Sequence, residues 1–142
     1  LGDVLVMPGK VGDEFIVRPG DMLKEKGWVY LKGAKSEPRE GTDGFTYDYK
    51  EGPITFPDAL DRPSRTMVTG EGGLTPSRFK HVIEDKTGKL RRITPVEAER
   101  LNGFPDGWTD TEMPRNFRYF CMGNALVVPL VSEIMKGIKY IS

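Results

Sequence analysis

Cysteine and histidine are almost missing from this chain of 142 residues: Cys121 and His81 are the sole examples of each. A single cysteine excludes an internal disulfide framework and a cysteine-based zinc site, which points to a reducing, cytosolic compartment. One histidine cannot build a histidine-rich metal centre. No apolar run reaches the ~18 residues that a membrane-spanning helix needs, and no charged-then-apolar leader opens the chain. There is no Walker loop and no Gly-x-Gly-x-x-Gly following a strand, so the phosphate-cofactor signatures are absent. A Ser-His-Asp or Cys-His machine would have to use His81 or Cys121, and neither has a convincing partner in the sequence. Cys121 lies between Phe120 and Met122, an apolar setting in which an inert, buried residue is expected.

Hydrophobic residues make up only 37% of the chain, while glycine and proline number 17 and 11, so much irregular, turn-rich backbone must surround a modest core. One small globular unit is the ceiling. The chain begins at Leu1 and not at Met, which is expected of a fragment or an excised domain.

The net charge is zero, but its distribution is uneven. Residues 1–60 are acidic by three charges. Between Arg62 and Arg92 the basic side chains Arg62, Arg65, Arg78, Lys80, Lys86, Lys89, Arg91 and Arg92 face only Glu71, Glu84 and Asp85. A local excess of this kind, mixed with Ser, Thr and Gly, suits contact with a phosphate backbone, where small residues allow close approach. An ordinary solvated face would look the same.

Asp13–Arg18 and Gly27–Leu31 read as short strands, and Phe45, Tyr47 and Tyr49 alternate as they would along a strand that turns three aromatics toward the core. Residues 32–43 and 50–63 read as long loops. Phe79–Glu84, the turn Asp85–Gly88 and Lys89–Ile93 have the form of a hairpin, with Gly88 free to adopt the positive φ that such a turn requires. The next signal is sharper. Thr94 can cap a helix, Pro95 fits its first position, Glu97 completes a capping box and Gly103 stops it, predicting a short helix over Pro95–Asn102. A final helix is expected over 125–141, with Val127, Leu130, Val131, Ile134, Met135 and Ile138 at helical spacing and Pro129 in its first turn. Its apolar start needs more neighbours than this chain offers, so it is expected to pack into a larger domain of other polypeptide. Gly123-Asn124 reads as a tight corner before it, either a plain turn or a close approach to a ligand.

The stretch Arg91-Arg92-Ile93-Thr94-Pro95-Val96-Glu97-Ala98-Glu99-Arg100-Leu101-Asn102-Gly103-Phe104-Pro105-Asp106 closely resembles the ninth conserved block of the cytosine-5 DNA methyltransferases. Gly123-Asn124-Ala125-Leu126-Val127-Val128-Pro129 resembles the tenth, and Pro63–Gly73 is similar to the Thr-containing stretch that closes the family's target-recognition domain. The resemblance implies part of a two-domain enzyme that extrudes cytosine from the duplex, attacks its carbon 6 with a cysteine thiolate and methylates carbon 5 from S-adenosylmethionine. The family's Pro-Cys and Glu-Asn-Val blocks do not occur in this sequence, so the chain alone is expected to be inactive. Extruding a base costs a few kcal/mol, so the recognition domain must hold the deformed duplex by phosphate and base-edge contacts.

The implied fold is α+β. Residues 1–90 would be a small, irregular, β-rich target-recognition domain, 91–106 a linker helix, and 107–142 a segment whose last helix completes a Rossmann-like methyltransferase domain. The partners would be double-stranded DNA and the catalytic N-terminal portion of the same enzyme or a separate catalytic subunit, in a bacterial cytoplasm at the nucleoid, with no membrane. Thr66 would contact the phosphate beside the extruded nucleotide, and Thr69, Gly72 and Gly73 would lie against DNA. Arg65, Arg78 and Lys80 join them on electrostatic grounds alone, surface ion pairs being the alternative. Arg91, Thr94, Glu97 and Arg100 would be architectural, and Gly123, Asn124 and Ala125 would line the methionine end of the cofactor site. A stand-alone, sequence-specific DNA-binding module without enzyme activity is the alternative function.

Overall fold

The computed structural model of the chain describes residues 1–138. It is a mixed α+β structure with two separate two-stranded antiparallel sheets and five helices among the described residues. In order these are α1 (Pro19–Met22), α2 (Trp28–Lys32), β1 (Lys35–Glu40), β2 (Thr46–Glu51), β3 (Val82–Glu84), β4 (Leu90–Arg92), α3 (Pro95–Leu101), α4 (Arg115–Asn124) and α5 (Val128–Ile138).

Two elements form as their local chemistry dictates. The hairpin β3–β4 pairs Val82 with Arg92 and Glu84 with Leu90. Gly88 turns it at a φ of +78°, where a side chain would be strained. Helix α3 starts on a complete capping box: the Thr94 side chain accepts from the Glu97 N–H, and the Glu97 carboxylate accepts from the Thr94 N–H.

Elsewhere tertiary packing overrides local preference. The stretch 13–18 is no regular strand. Asp13–Phe15 is a 3-10 turn, Ile16 makes one bridge to Arg91, and the Val17 N–H donates to Leu90 O at 2.9 Å before Pro19 opens α1. The β-prone residues 27–31 form α2, because Trp28 and Lys32, one turn apart, both point inward at 1% and 2% exposure while Val29 and Tyr30 stay wet. The expected loop 32–43 holds β1. Its polar Lys-Ser-Glu-Pro-Arg-Glu carries no apolar alternation, and it is held by pairing with β2, by the Arg39 guanidinium 3.6 Å from the centre of the Tyr49 ring and by the Lys35–Glu51 ion pair at 3.1 Å. This ribbon does not turn its aromatics to the core: Phe45 and Tyr47 are exposed and Tyr49 is half-buried.

The core has two adjoining parts. Phe15, Ile83, Ile93, Ala98, Tyr119 and Met122 form the larger, and Val17, Trp28 and Val82 the smaller. Tyr119 and Met122 lie three residues apart on α4, a helix that the sequence reading left out. Gly123-Asn124 is therefore the last turn of α4 and not a free corner. Cys121 is half-buried against the larger cluster, more open than the inert core residue expected.

Helix α5 begins at Val128, three residues later than expected, and Pro129 sits in its first turn. The end of the expected helix, 139–141, lies outside the described residues. No residue of α5 is buried. Counted as one piece, Arg115–Ile138 is long and apolar enough to cross a membrane. The backbone breaks after Asn124, however, where Ala125 is extended, and neither α4 with 10 residues nor α5 with 11 reaches the ~20 that a bilayer requires.

Candidate DNA-facing loop and cofactor corner

The ninth-block residues form the joint on which the candidate site is hung. Arg91 and Glu97, at 1% and 0% exposure, make a two-pronged ion pair at 2.6 and 2.9 Å. A buried pair is tolerated only when its other hydrogen-bonding capacity is filled. Here the Glu97 carboxylate also accepts from the N–H of Thr94 at 2.6 Å and of Val6 at 2.8 Å, which ties the first residues of the chain to the start of α3, while on the Arg91 side Nη1 reaches Arg92 O and Nε is left without a partner among the described residues. Arg100 extends the tie through a fork onto Asp106 at 2.7 and 2.6 Å and a bond to Val4 O at 3.0 Å. Arg91, Thr94, Glu97 and Arg100 thus sit together in a bracing network.

Next to this joint the segment Pro63–Gly73 runs between β3 and α4. His81, fully buried, holds it at two points. The Glu71 carboxylate accepts from the His81 N–H at 2.6 Å and meets its Nδ1 at 3.0 Å, while Ser64 Oγ lies 3.0 Å from Nε2. His81 therefore has two partners that the sequence did not reveal. On its other side the segment rests on α4. A Cβ at Gly123 would stand 2.4 Å from Thr69 N, and one at Gly72 would stand 2.7 Å from the Tyr119 ring. The smallness of Gly72 thus serves packing against α4. Thr66, Thr69, Gly70 and Gly73 are left exposed.

The three cations named on electrostatic grounds are engaged within the protein. Arg65 makes a fork onto Asp58 at 2.6 and 3.1 Å and bonds Phe79 O and Lys80 O. Burial opposes ionisation of Asp58, but the Arg65 bonds, with the Val82 N–H, hold its carboxyl below the usual range. Arg78 bonds Leu31 O at 3.2 Å and Gly52 O, and lies 3.2 Å from Glu51. Lys80 is 5% exposed, donates to Thr75 O at 2.7 Å, and has its pKa lowered by burial. Arg91 and Arg92 are buried too, so the basic run of the sequence is largely internal; Arg62, Lys86 and Lys89 remain exposed.

Thr66 and Ala125 meet across one cleft of about 350 Å³, lined also by Ser64, Met67, Asn102 and Val127. The Thr-bearing segment and the tenth-block residues, represented by Thr66 and Ala125 and far apart in sequence, are therefore neighbours. Asn124 is exposed beside Ala125, and its Nδ2 donates to Phe120 O at 3.0 Å. Beyond it lies an apolar surface: Leu126, Val128, Leu130, Ile134, Met135 and Ile138 are 44–70% exposed. Among the described residues no cluster of side chains could hold a metal ion.

The family model of the C-5 cytosine-specific DNA methylases matches residues 21–140, and the chain belongs to that family. It is similar to type II methyltransferase M.Sau3AI of Staphylococcus aureus, with 43% identity over 141 residues, covering 99% of this chain and 32% of that protein. It is also similar to type II methyltransferase M.NlaX of Neisseria lactamica, with 27% identity over 135 residues, covering 91% of this chain and 38% of that protein. A further relative, M.AplI of Arthrospira platensis, is 35% identical over 81 residues, 56% of this chain and 23% of that protein. The chain spans about a third of the length of the first two relatives.

Proposed function

We propose that this chain is the C-terminal, target-recognising portion of a bacterial DNA (cytosine-5-)-methyltransferase of the type II restriction-modification kind, acting in the cytoplasm on double-stranded DNA. Residues 1–90 read the site, 91–106 join the two parts, and 107–142 pack into the catalytic part, where α5 completes a Rossmann-like fold. The chain has no methyltransferase activity alone, because the thiolate-bearing and carboxylate-bearing blocks lie in the catalytic portion.

S-adenosylmethionine, when bound, supplies the methyl group. The residues present suit one wall of its site in part: Ala125 is small and lines an open cleft, and the amide of Asn124 is exposed and, with Nδ2 bonded to Phe120 O, keeps its oxygen to accept from a ligand amino group, whereas Gly123 is taken up by its packing against Thr69. The work of the recognition portion is to hold a duplex whose target base has left the stack. Phosphate contact falls to Thr66 and Thr69, with close approach permitted by Gly70 and Gly73 and with Arg62 as the exposed cation. Arg65 and Gly72 brace the segment that presents them, Lys80 holds Thr75 just beyond it, and Arg78 is engaged elsewhere, on Leu31 O and Gly52 O.

One observation carries the reading. Helix α5 is apolar yet buries none of its residues, and exposed apolar patches of this extent mark surfaces made for a partner. A stand-alone DNA-binding module has no use for such a face. The test is reconstitution: the chain is mixed with a polypeptide carrying the missing blocks, and methyl transfer to cytosine in duplex DNA is measured. Activity is expected only from the mixture and is lost when Leu130 and Ile134 are both changed to Lys, with no fall in the chain's own melting temperature. Methyl transfer by the chain alone, or reconstitution that tolerates both lysines, refutes the proposal.

A further inference from the structure

The hydrogen bonds of His81 are more numerous than a core filler needs. It is fully buried, the Glu71 side chain is 1% exposed, and both ring nitrogens and the backbone N–H have partners at 2.6–3.0 Å. A carboxylate can only accept, so Nδ1 carries the proton shared with Glu71, while Nε2 lies 3.0 Å from Ser64 Oγ, a hydroxyl that also reaches Arg65 O at 3.0 Å. An apolar residue could fill this space without the cost of burying polar groups. What the polar arrangement adds is geometric. Ser64 and Glu71 flank a six-residue segment, Arg65–Gly70, and one imidazole fastens both of its ends. Inside the segment Arg65, Met67 and Val68 turn toward the protein, and Thr66, Thr69 and Gly70 are exposed. A second clasp lies alongside, since Asp58 accepts from both Arg65 and the N–H of Val82, the residue after His81.

We propose that His81 is a positioning residue for DNA: with Ser64 and Glu71 it clasps the 64–71 segment so that Thr66 is held, before DNA arrives, where it meets the phosphate beside an extruded nucleotide. The proposal rests on the role assigned to Thr66 above. Its physical basis is preorganisation, because a segment already fixed in its bound shape loses less conformational freedom on binding. The clasp touches neither the apolar face of α5 nor Asn124, so it acts on DNA and leaves the cofactor alone.

The experiment uses the intact methyltransferase. His81 is too deeply buried to be the main probe, so Ser64, half-buried at the edge of the network, is changed to Ala. The expected result, measured well below the melting temperature, is a KM for duplex DNA raised about three- to tenfold, the range one intramolecular hydrogen bond commands, with kcat and the KM for S-adenosylmethionine unchanged. Ser64→Thr keeps the hydroxyl and restores the KM. In a double-mutant cycle with Thr66→Ala, the effect of Ser64→Ala disappears, because a clasp that works through Thr66 has nothing left to position. If Thr66→Ala raises the KM but Ser64→Ala does not, or if the two effects simply add, the clasp is overturned. If Thr66→Ala leaves the KM for DNA unaltered, it is the assignment of Thr66 that falls, and the clasp with it.

Discussion

Replacing Gly123 with Ala should be harmful although Gly123 lies in a helix, where alanine is ordinarily favoured over glycine by ~1 kcal/mol. The added methyl would stand 2.4 Å from Thr69 N and 2.6 Å from both Thr69 Cα and the Val68 carbonyl carbon. All three are backbone atoms, so no rotamer change relieves the contact. The Thr69 side has little room to retreat, because Ser64 and Glu71 are fixed to His81 and Gly72 lies on the Tyr119 ring. Overpacking of this kind costs ~1–3 kcal/mol, and three backbone contacts place it near the top of that range. After the propensity gain is subtracted, a net destabilisation of about 2 kcal/mol remains, which for a chain of this size lowers Tm by roughly 6–8 °C. Thermal denaturation followed by circular dichroism gives the comparison directly. Binding of a cognate duplex by the intact enzyme should weaken in parallel, since the displaced residues adjoin Thr66. A Gly123→Ala variant that melts higher than the parent, as an unconstrained helical glycine would make it, refutes the close approach of α4 to this segment.

Two further outcomes follow from buried charge. Changing Glu97 to Gln leaves Arg91 uncompensated in the interior and should destabilise the chain by about 3–5 kcal/mol, read as a fall in the denaturation midpoint; a loss below ~1 kcal/mol would mean that the pair is no tighter than a surface contact. Burial lowers the pKa of Lys32 from 10.5 to about 8. Its ammonium form is thus disfavoured in the folded state, so the unfolded chain binds more protons between those values and this contribution to stability rises with pH across that window. Denaturation midpoints measured at pH 7.5 and 10 should show the rise in the parent chain and lack it in Lys32→Met, and equal slopes in the two would refute the assignment.

What was legible in the sequence is what a few adjacent residues decide. Thr94, Pro95, Glu97 and Gly103 specify α3 from within ten positions, and Gly88, with the Asp85 carboxylate that accepts from the Thr87 and Lys89 N–H groups, sets where β3 turns into β4. Helix α2 was not legible, because its cause is the distant packing that buries Trp28 and Lys32, and its own residues prefer strands. Strand β1 was hidden by its polarity and by Pro38, which is acceptable because the ribbon stands in solvent. Pro114 followed by Tyr119 and Met122 could have signalled α4, but the Gly123-Asn124 pair looked like a corner when read alone. At the candidate site, the motif residues were legible as motifs. Their mutual placement was not: Ser64, Glu71 and His81 lie on loops, the last just before β3, with no periodicity to connect them, and charge counting could not foresee that Arg65, Arg78 and Lys80 are bound to the protein's own oxygens.

The departure of α5 from the rest of the chain is set locally. The Val128 N–H donates to Asn102 O at 2.9 Å, and Pro129 packs onto Gly103, whose φ is +78° and where any side chain would collide with the proline ring at 2.4 Å. The helix is therefore aimed by the residue that stops α3, like a tenon cut at a fixed angle before the joint is assembled. On the function proposed above, a catalytic part docking on α5 would find little orientational freedom left to lose, and the same fixed angle would set how far the Thr66 segment stands from it.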